Sequence, residues 1–164
     1  MKKTILIIAG VAVCFACGSF TQKMMSEDQP AQKAKDQMAA PLQMGVFSLS
    51  LNVKDLAVSM AFYESLGFSQ MGGDKASNYV IMKNGNTIIG LFNGFFEGQM
   101  LTFNPGWDEN ANNVDPFDDV RVIQRSLKSN GIAIDAECDE STTGPASIML
   151  KDPDGNVILV DQHR

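Results

Sequence analysis

The chain has 164 residues, enough for one domain with a sizeable core, and 45% of them are apolar, too many for a chain disordered throughout. Nineteen acidic residues face thirteen basic ones, a formal charge of −6, and no Lys/Arg run exceeds Lys2-Lys3. This balance argues against nucleic acid or an anionic membrane surface as a partner and reads as a device for solubility.

Residues 1–16 read as a signal peptide. Lys2-Lys3 is a basic n-region, and Ile5 to Phe15 is an apolar h-region shorter than the roughly 20 residues of a membrane span. Ala16-Cys17-Gly18-Ser19 supplies small residues for cleavage and resembles a bacterial lipoprotein signal in which Cys17 is lipidated. The position three residues before Cys17 is Cys14 rather than an aliphatic residue, so a plain secreted protein and a retained anchor stay open. Cleavage before Cys17 removes Lys2 and Lys3, leaving eleven basic against nineteen acidic residues, a net charge of −8. Only Cys17 and Cys138 then remain, which is no disulfide framework. Residues 17–43 are polar, carry Pro30 and Pro41, and lack a sustained apolar period, so they are expected to be a tether.

Residues 44–164 are expected to fold. From Val46 to Val53, Phe47, Leu49, Leu51 and Val53 alternate with Ser48, Ser50 and Asn52, the period of a strand with one apolar face. Asp55 sits as an N-cap before a helix with Leu56, Val58, Met60, Phe62, Tyr63 and Leu66 as a broad apolar face, and Gly67 stops it. Phe68 to Met71 is a weakly marked strand. Tyr79 to Met82 and Thr87 to Phe92 flank the Asn84-Gly85 turn as a hairpin. Met100 to Asn104 is a short strand, followed by a loop from Pro105 to Pro116. Asp118 or Asp119 caps a helix with Val120, Ile123 and Leu127 inward, ended by Asn130-Gly131. Ile132 to Ile134, Ala146 to Leu150 and Val157 to Val160 complete the set of strands.

The second half repeats the first. Asp55 lies twelve residues before Gly67, as Asp119 does before Gly131, and Asn84-Gly85-Asn86-Thr87-Ile88 answers Asp154-Gly155-Asn156-Val157-Ile158. One unit, strand–helix–three strands, is used twice, over 46–97 and 100–163. The class is α+β, with each sheet packing one face on its own helix and the other face free to line a cavity.

These residues resemble a known family. The series Phe47-x-Leu-x-Leu-x-Val-x-Asp55-Leu56, then Ser59-x-x-Phe62-Tyr63-x-x-Leu66-Gly67-Phe68, then Asp152-Pro-Asp-Gly-Asn156, is similar to the vicinal oxygen chelate superfamily. That group includes glyoxalase I, fosfomycin and bleomycin resistance proteins and extradiol dioxygenases. The resemblance implies two βαβββ units in a curved mixed sheet around a ligand cavity, commonly in a homodimer. It also implies a divalent metal on His, Gln or Glu at four positions. Here those positions carry Ser48, Ile89, Met100 and Leu159, none of them an imidazole or carboxylate. No metal and no other cofactor is therefore expected.

Strand parity groups what remains. Ser48, Ser50 and Asn52 share one face of the first strand, and Leu159 and Asp161 share a face of the last. They form a polar set for a ligand, or else solvated groups that satisfy each other. Asn104 and Trp107, the chain's single Trp, leave a strand for a long loop and read either as a lid that orients and stacks on a flat ligand or as a packing plug. The acidic residues around Asp108 have no calcium-loop spacing. His163, the single His, lies one residue from the end of the sequence, where fraying is expected. No catalytic residue is assigned.

The expected function is a metal-independent domain that binds a small molecule at the cell envelope, touching the membrane only through a lipid on Cys17. A lyase, isomerase or dioxygenase-type enzyme with non-standard residues, such as Asp161 with His163, is the alternative. A partner-binding protein whose cavity is filled by its own side chains is a third.

Overall fold

The structure is a computed structural model that describes residues 41–164. The expected cleavage and lipidation site at Cys17 and all but the end of the expected tether lie outside the described residues. Among those described, no helix is long and apolar enough to cross a membrane.

Seven strands form one mixed sheet: β1 (Val46–Asn52), β2 (Ser69–Asp74), β3 (Tyr79–Asn84), β4 (Thr87–Phe92), β5 (Gln99–Asn104), β6 (Ala146–Lys151) and β7 (Val157–Gln162). Their order is β2-β3-β4-β1-β5-β7-β6. The repeat explains this order. In each unit the first strand pairs in parallel with the last, β1 with β4 and β5 with β7, and an antiparallel hairpin lies outside. The two first strands then pair with each other antiparallel, Ser48 opposite Thr102 and Ser50 opposite Met100. At their ends the backbones come close. Gly45 has φ +77°, and a Cβ there would lie 1.9 Å from the carbonyl oxygen of Asn104, so the position admits no side chain.

The helices α1 (Leu56–Ser65) and α2 (Val120–Ser129) are built alike. Asp55 Oδ1 accepts from the Val58 N–H and Asp119 Oδ1 from the Arg121 N–H, caps that each stabilise by about 1 kcal/mol. Asp118 instead accepts from the Gln43 N–H. Each helix closes with the same pair of bonds. The Gly67 N–H reaches Glu64 O and the Phe68 N–H reaches Tyr63 O; Gly131 and Ile132 do the same to Lys128 and Leu127. Both glycines hold left-handed φ, +87° and +75°, as this closure requires.

Each helix covers its own half of the sheet. Leu56 and Met60 pack on Val80, Met82 and Leu91; Val120 and Ile123 pack on Ile148, Leu150 and Val160. Leu42 and Met44 add to the second core, so the packed chain begins before β1. Each fully buried aliphatic side chain stabilises by about 1.5–3 kcal/mol.

Two expectations need correction. The broad apolar face of α1 is not buried as a whole: Val58, Phe62 and Leu66 are 66%, 58% and 54% exposed. They recur every four residues on the outer side, and the sheet reaches only the stripe carrying Leu56 and Met60. The expected strand at Ile132–Ile134 is also absent, reduced to one bridge between Ala136 and Met149. The Ile132 N–H is already used to close α2, and beyond the bridge the backbone is held by side chains of α2. Gln124 accepts from the Cys138 N–H and donates to Cys138 O. The buried Arg121 guanidinium donates to Asp139 O, Gly144 O and Thr142 Oγ1 and pairs with Asp119 at 3.2 Å.

Candidate functional site

Parity along each strand separates core from cavity. Val80, Met82 and Leu91 face α1, so Tyr79, Ile81 and Phe92 face the other way. On that face the curved sheet encloses a cavity of about 690 Å³, within the size range of a small-molecule site. It is not filled by the protein's own side chains, against the third expectation.

The floor is the β1–β5–β7 region: Ser48, Ser50, Met100, Thr102, Leu159 and Asp161. Ser50 Oγ and Thr102 Oγ1 are 2.9 Å apart and buried, so one hydroxyl donates to the other across the junction of the two repeats. One wall is aromatic. The Tyr79 and Phe92 rings stack in parallel, 9° apart with centroids at 5.7 Å, and Phe95 and Phe96 pack on Phe92 at 5.6 and 5.4 Å. Met71 joins this wall from a bulge in β2, where the register with β3 shifts between Gln70 and Gly72.

The opposite wall is the loop after β5. Trp107 lies against the His163 ring, centroids 4.2 Å apart and planes 9° apart. Its indole N–H donates to Asn113 Oδ1 at 3.1 Å. His163 Nε2 stands 3.3 Å from Asp161 Oδ2. The expectation that His163 frays is corrected by its neighbours. Gln162 is buried, accepts from the Val120 N–H and donates to Asp119 and Gly144 O. Arg164 lies over the Phe117 ring at 4.5 Å and pairs with Asp115.

Six of the seven residues expected at a ligand site line this cavity: Ser48, Ser50, Asn104, Trp107, Leu159 and Asp161. Asn104 does so with its amide N–H₂ donating to the Asp161 carbonyl at 3.0 Å, a tie between β5 and β7. Asn52 is not among the lining residues; it ends β1, where its N–H bonds to Gly98 O.

A family model described as the Glyoxalase/Bleomycin resistance protein/Dioxygenase superfamily matches residues 45–160. The chain belongs to this superfamily. Comparison with curated proteins returns no significant match. Among solved structures, a Legionella pneumophila protein described as NAD-dependent benzaldehyde dehydrogenase is 18% identical, covering 72% of this chain and 99% of its own, with a TM-score of 0.54. A glyoxalase/bleomycin resistance protein/dioxygenase superfamily member from Vibrio splendidus 12B01 is 18% identical over 71% and 97%, TM-score 0.45. A methylmalonyl-CoA epimerase from Streptomyces coelicolor is 12% identical over 76% and 99%, TM-score 0.43. The likeness at this identity shows the fold.

The sheet register tests the four positions that the superfamily resemblance marks for metal ligands. Ser48, Met100 and Leu159 do face the cavity; Ile89 does not, and packs in the α1 core instead. Leu159 lies beside Thr102 in β5, and Gly90 lies beside Ser50, the Thr102 counterpart, in β1. Gly90 is therefore the fourth position. The slip by one arises at the turns: the β3–β4 hairpin closes at Asn84–Thr87, whereas Lys151–Val157 spans a longer loop. A hydroxyl, a thioether, an isobutyl group and a bare backbone do not suit Fe, Mn, Ni or Zn. The Phe92 ring closes the fourth corner as well. A Cβ on Gly90 would lie 2.5 Å from Phe92 Cε2, so a ligating side chain there would displace the ring.

Tyr79, Phe92, Phe95, Phe96 and Thr102 line the site without having been singled out in the sequence; Asp108 and His163, named there only in an acidic loop and as an alternative partner of Asp161, line it too. Tyr79 and Phe92 lie beside the core residues Val80 and Leu91, but their strands are apolar on both faces, so alternation alone does not single them out. Phe95 and Phe96 stand in a Gly94–Gly98 loop that no strand period reaches. Asp108 is held below the usual carboxylate range by the Asn112 N–H, then by the Asn110 N–H and the Asn112 side chain.

The hydrogen bond to Asp161 raises His163 above its ordinary value of 6.5, with partial burial opposing and the Asp161 charge assisting. Because the folded value is the higher one, the pair contributes stability in full below about 6.5, and that contribution is lost as pH rises through the raised value. Trp107 is the sole Trp, and an imidazolium stacked on indole quenches it more than a neutral ring. Trp107 emission is expected to rise with pH with a midpoint above 6.5, and Asp161→Asn to lower that midpoint. A midpoint at or below 6.5, unmoved by the substitution, would refute the coupling.

Proposed function

We propose that this domain is a metal-independent binding module for a small, largely apolar, flat molecule, carried at the cell envelope. The observation that carries this reading is the open cavity between the stacked Tyr79–Phe92 wall and the Trp107–His163 wall. Apolar walls with a few convergent polar groups are the general pattern of small-molecule sites. Ser48, Met100, Leu159 and Gly90 offer a metal no imidazole or carboxylate, which supports binding without one. Localisation rests on the sequence of residues 1–19 alone. A second reading, an isomerase- or lyase-type enzyme, has the Asp161–His163 pair on the cavity wall in its favour. Loss of turnover of a bound compound in His163→Gln, with its binding retained, would decide for it.

The neutral probe 1-naphthol, followed by calorimetry, tests the binding reading. Trp107→Ala should weaken its binding by one to two orders of magnitude, roughly 1.5–3 kcal/mol for a lost aromatic contact, with the fold retained. Unaltered binding together with a loss of several kcal/mol of stability would make Trp107 a packing residue. For the envelope anchor, radiolabelled palmitate should enter the full-length chain and not Cys17→Ala; label persisting in the variant would refute lipidation at Cys17.

A further inference from the structure

The charge around the cavity narrows what it holds. Among the described residues that line it there is no Lys and no Arg, whereas Asp108 and Asp161 both do. The nearest cations are turned to other partners. Lys83, on the cavity-facing side of β3, donates to Asn110 Oδ1 in the Trp107 loop and lies near enough for its charge to act on Asp108, and Arg164 is bound to Asp115, the Val114 carbonyl and the Phe117 ring. An anionic ligand would leave water for a lining that carries two carboxylates and no Lys or Arg, which is costly. His163 does not reverse this balance. Protonated, it is matched by Asp161; neutral, it leaves the Asp161 carboxylate with no cation beside it.

The rest of the lining suits the opposite charge. Tyr79, Phe92, Phe95 and Trp107 present aromatic rings, whose faces attract a cation most strongly where water is excluded. Asp161 engages His163 through Oδ2, so its Oδ1 can accept from an ammonium N–H. The polar floor offers little competition, because the Ser50 and Thr102 hydroxyls are bonded to each other.

We propose that the ligand is a planar aromatic ring system carrying an alkylamine, bound as its ammonium cation with the rings between the Tyr79–Phe92 and Trp107 walls and the ammonium at Asp161. The assignment rests on the small-molecule reading above and adds the charge class to it. It excludes carboxylates, phosphates and acyl thioesters of phosphorylated carriers as the cognate ligand.

Three probes of one shape test it on the full domain at pH 8 by calorimetry: 1-naphthylmethylammonium, 1-naphthylmethanol and 1-naphthoate. The cation should bind about tenfold tighter than the neutral alcohol, the scale of a desolvated cation–π contact with a carboxylate. The anion should bind weakest. Asp161→Asn should bring the cation-to-alcohol ratio toward one, and Asp108→Asn should reduce it less. Binding of 1-naphthoate as tight as that of the ammonium, or a ratio untouched by Asp161→Asn in a variant that melts cooperatively, would overturn the charge class and leave the binding reading standing. Failure of all three probes to bind would overturn both.

Discussion

The antiparallel pairing of β1 with β5 is the interaction on which the rest of the structure depends. Each repeat by itself is a small sheet with a helix on one side and an uncovered face on the other, and neither face is large enough to enclose anything. Pairing the two first strands makes one curved sheet out of two and turns both uncovered faces inward. It also sets which side chains meet. Ser50 and Thr102, counterparts in the two repeats, are brought to 2.9 Å and bond across the junction. Gly45 lets β1 begin directly against the Asn104 carbonyl, and the Asn104 amide in turn reaches the Asp161 carbonyl. The strand carrying the Asp161–His163 pair is thereby held to the same junction.

Most of this architecture was legible in the sequence because the repeat is written in residues with specific backbone jobs. Asp55 and Asp119 are N-caps, and Gly67 and Gly131 are left-handed closures; their equal spacing marks two equal helices. Alternation on β1 placed Ser48 and Ser50 on the cavity face because only that face is polar. The same argument is weaker on β3 and β4. Tyr79-Val80-Ile81-Met82 is apolar on both faces, one for the α1 core and one for the cavity, so no alternation exists to be read. That is why the aromatic wall was not visible. Ile89 was misplaced for a related reason: the repeat was aligned through turns of different length, and one residue of slip exchanges the faces of a strand. At the strand expected over Ile132–Ile134, the Ile132 N–H is used to close α2 on Leu127 O, and the first pairing with β6 is the single bridge at Ala136.

His163 shows how tertiary context overrides position in the chain. Nearness to the end of a sequence argues for fraying only when nothing ties the segment down. Here Gln162 is buried beneath the start of α2 and Arg164 is clamped by Asp115 and Phe117, so the imidazole between them is held against Trp107 and Asp161. The superfamily scaffold is thus kept while its metal corners carry a Ser, a Met, a Leu and a Gly roofed by Phe92. Where metal-ligand chemistry would sit, the chain has placed no imidazole or carboxylate, and the polar groups of the floor at Ser50 and Thr102 bond to each other. The cavity keeps aromatic walls at Tyr79–Phe92 and at Trp107.

The central claim is that this cavity receives a small organic molecule and not a transition metal. Native mass spectrometry of the protein as purified tests it most directly, since it reports metal and organic ligand in one spectrum. An apo mass together with a population shifted by one organic molecule, with no transition metal, is expected. A stoichiometric Fe, Mn, Ni or Zn adduct that survives desalting would contradict it.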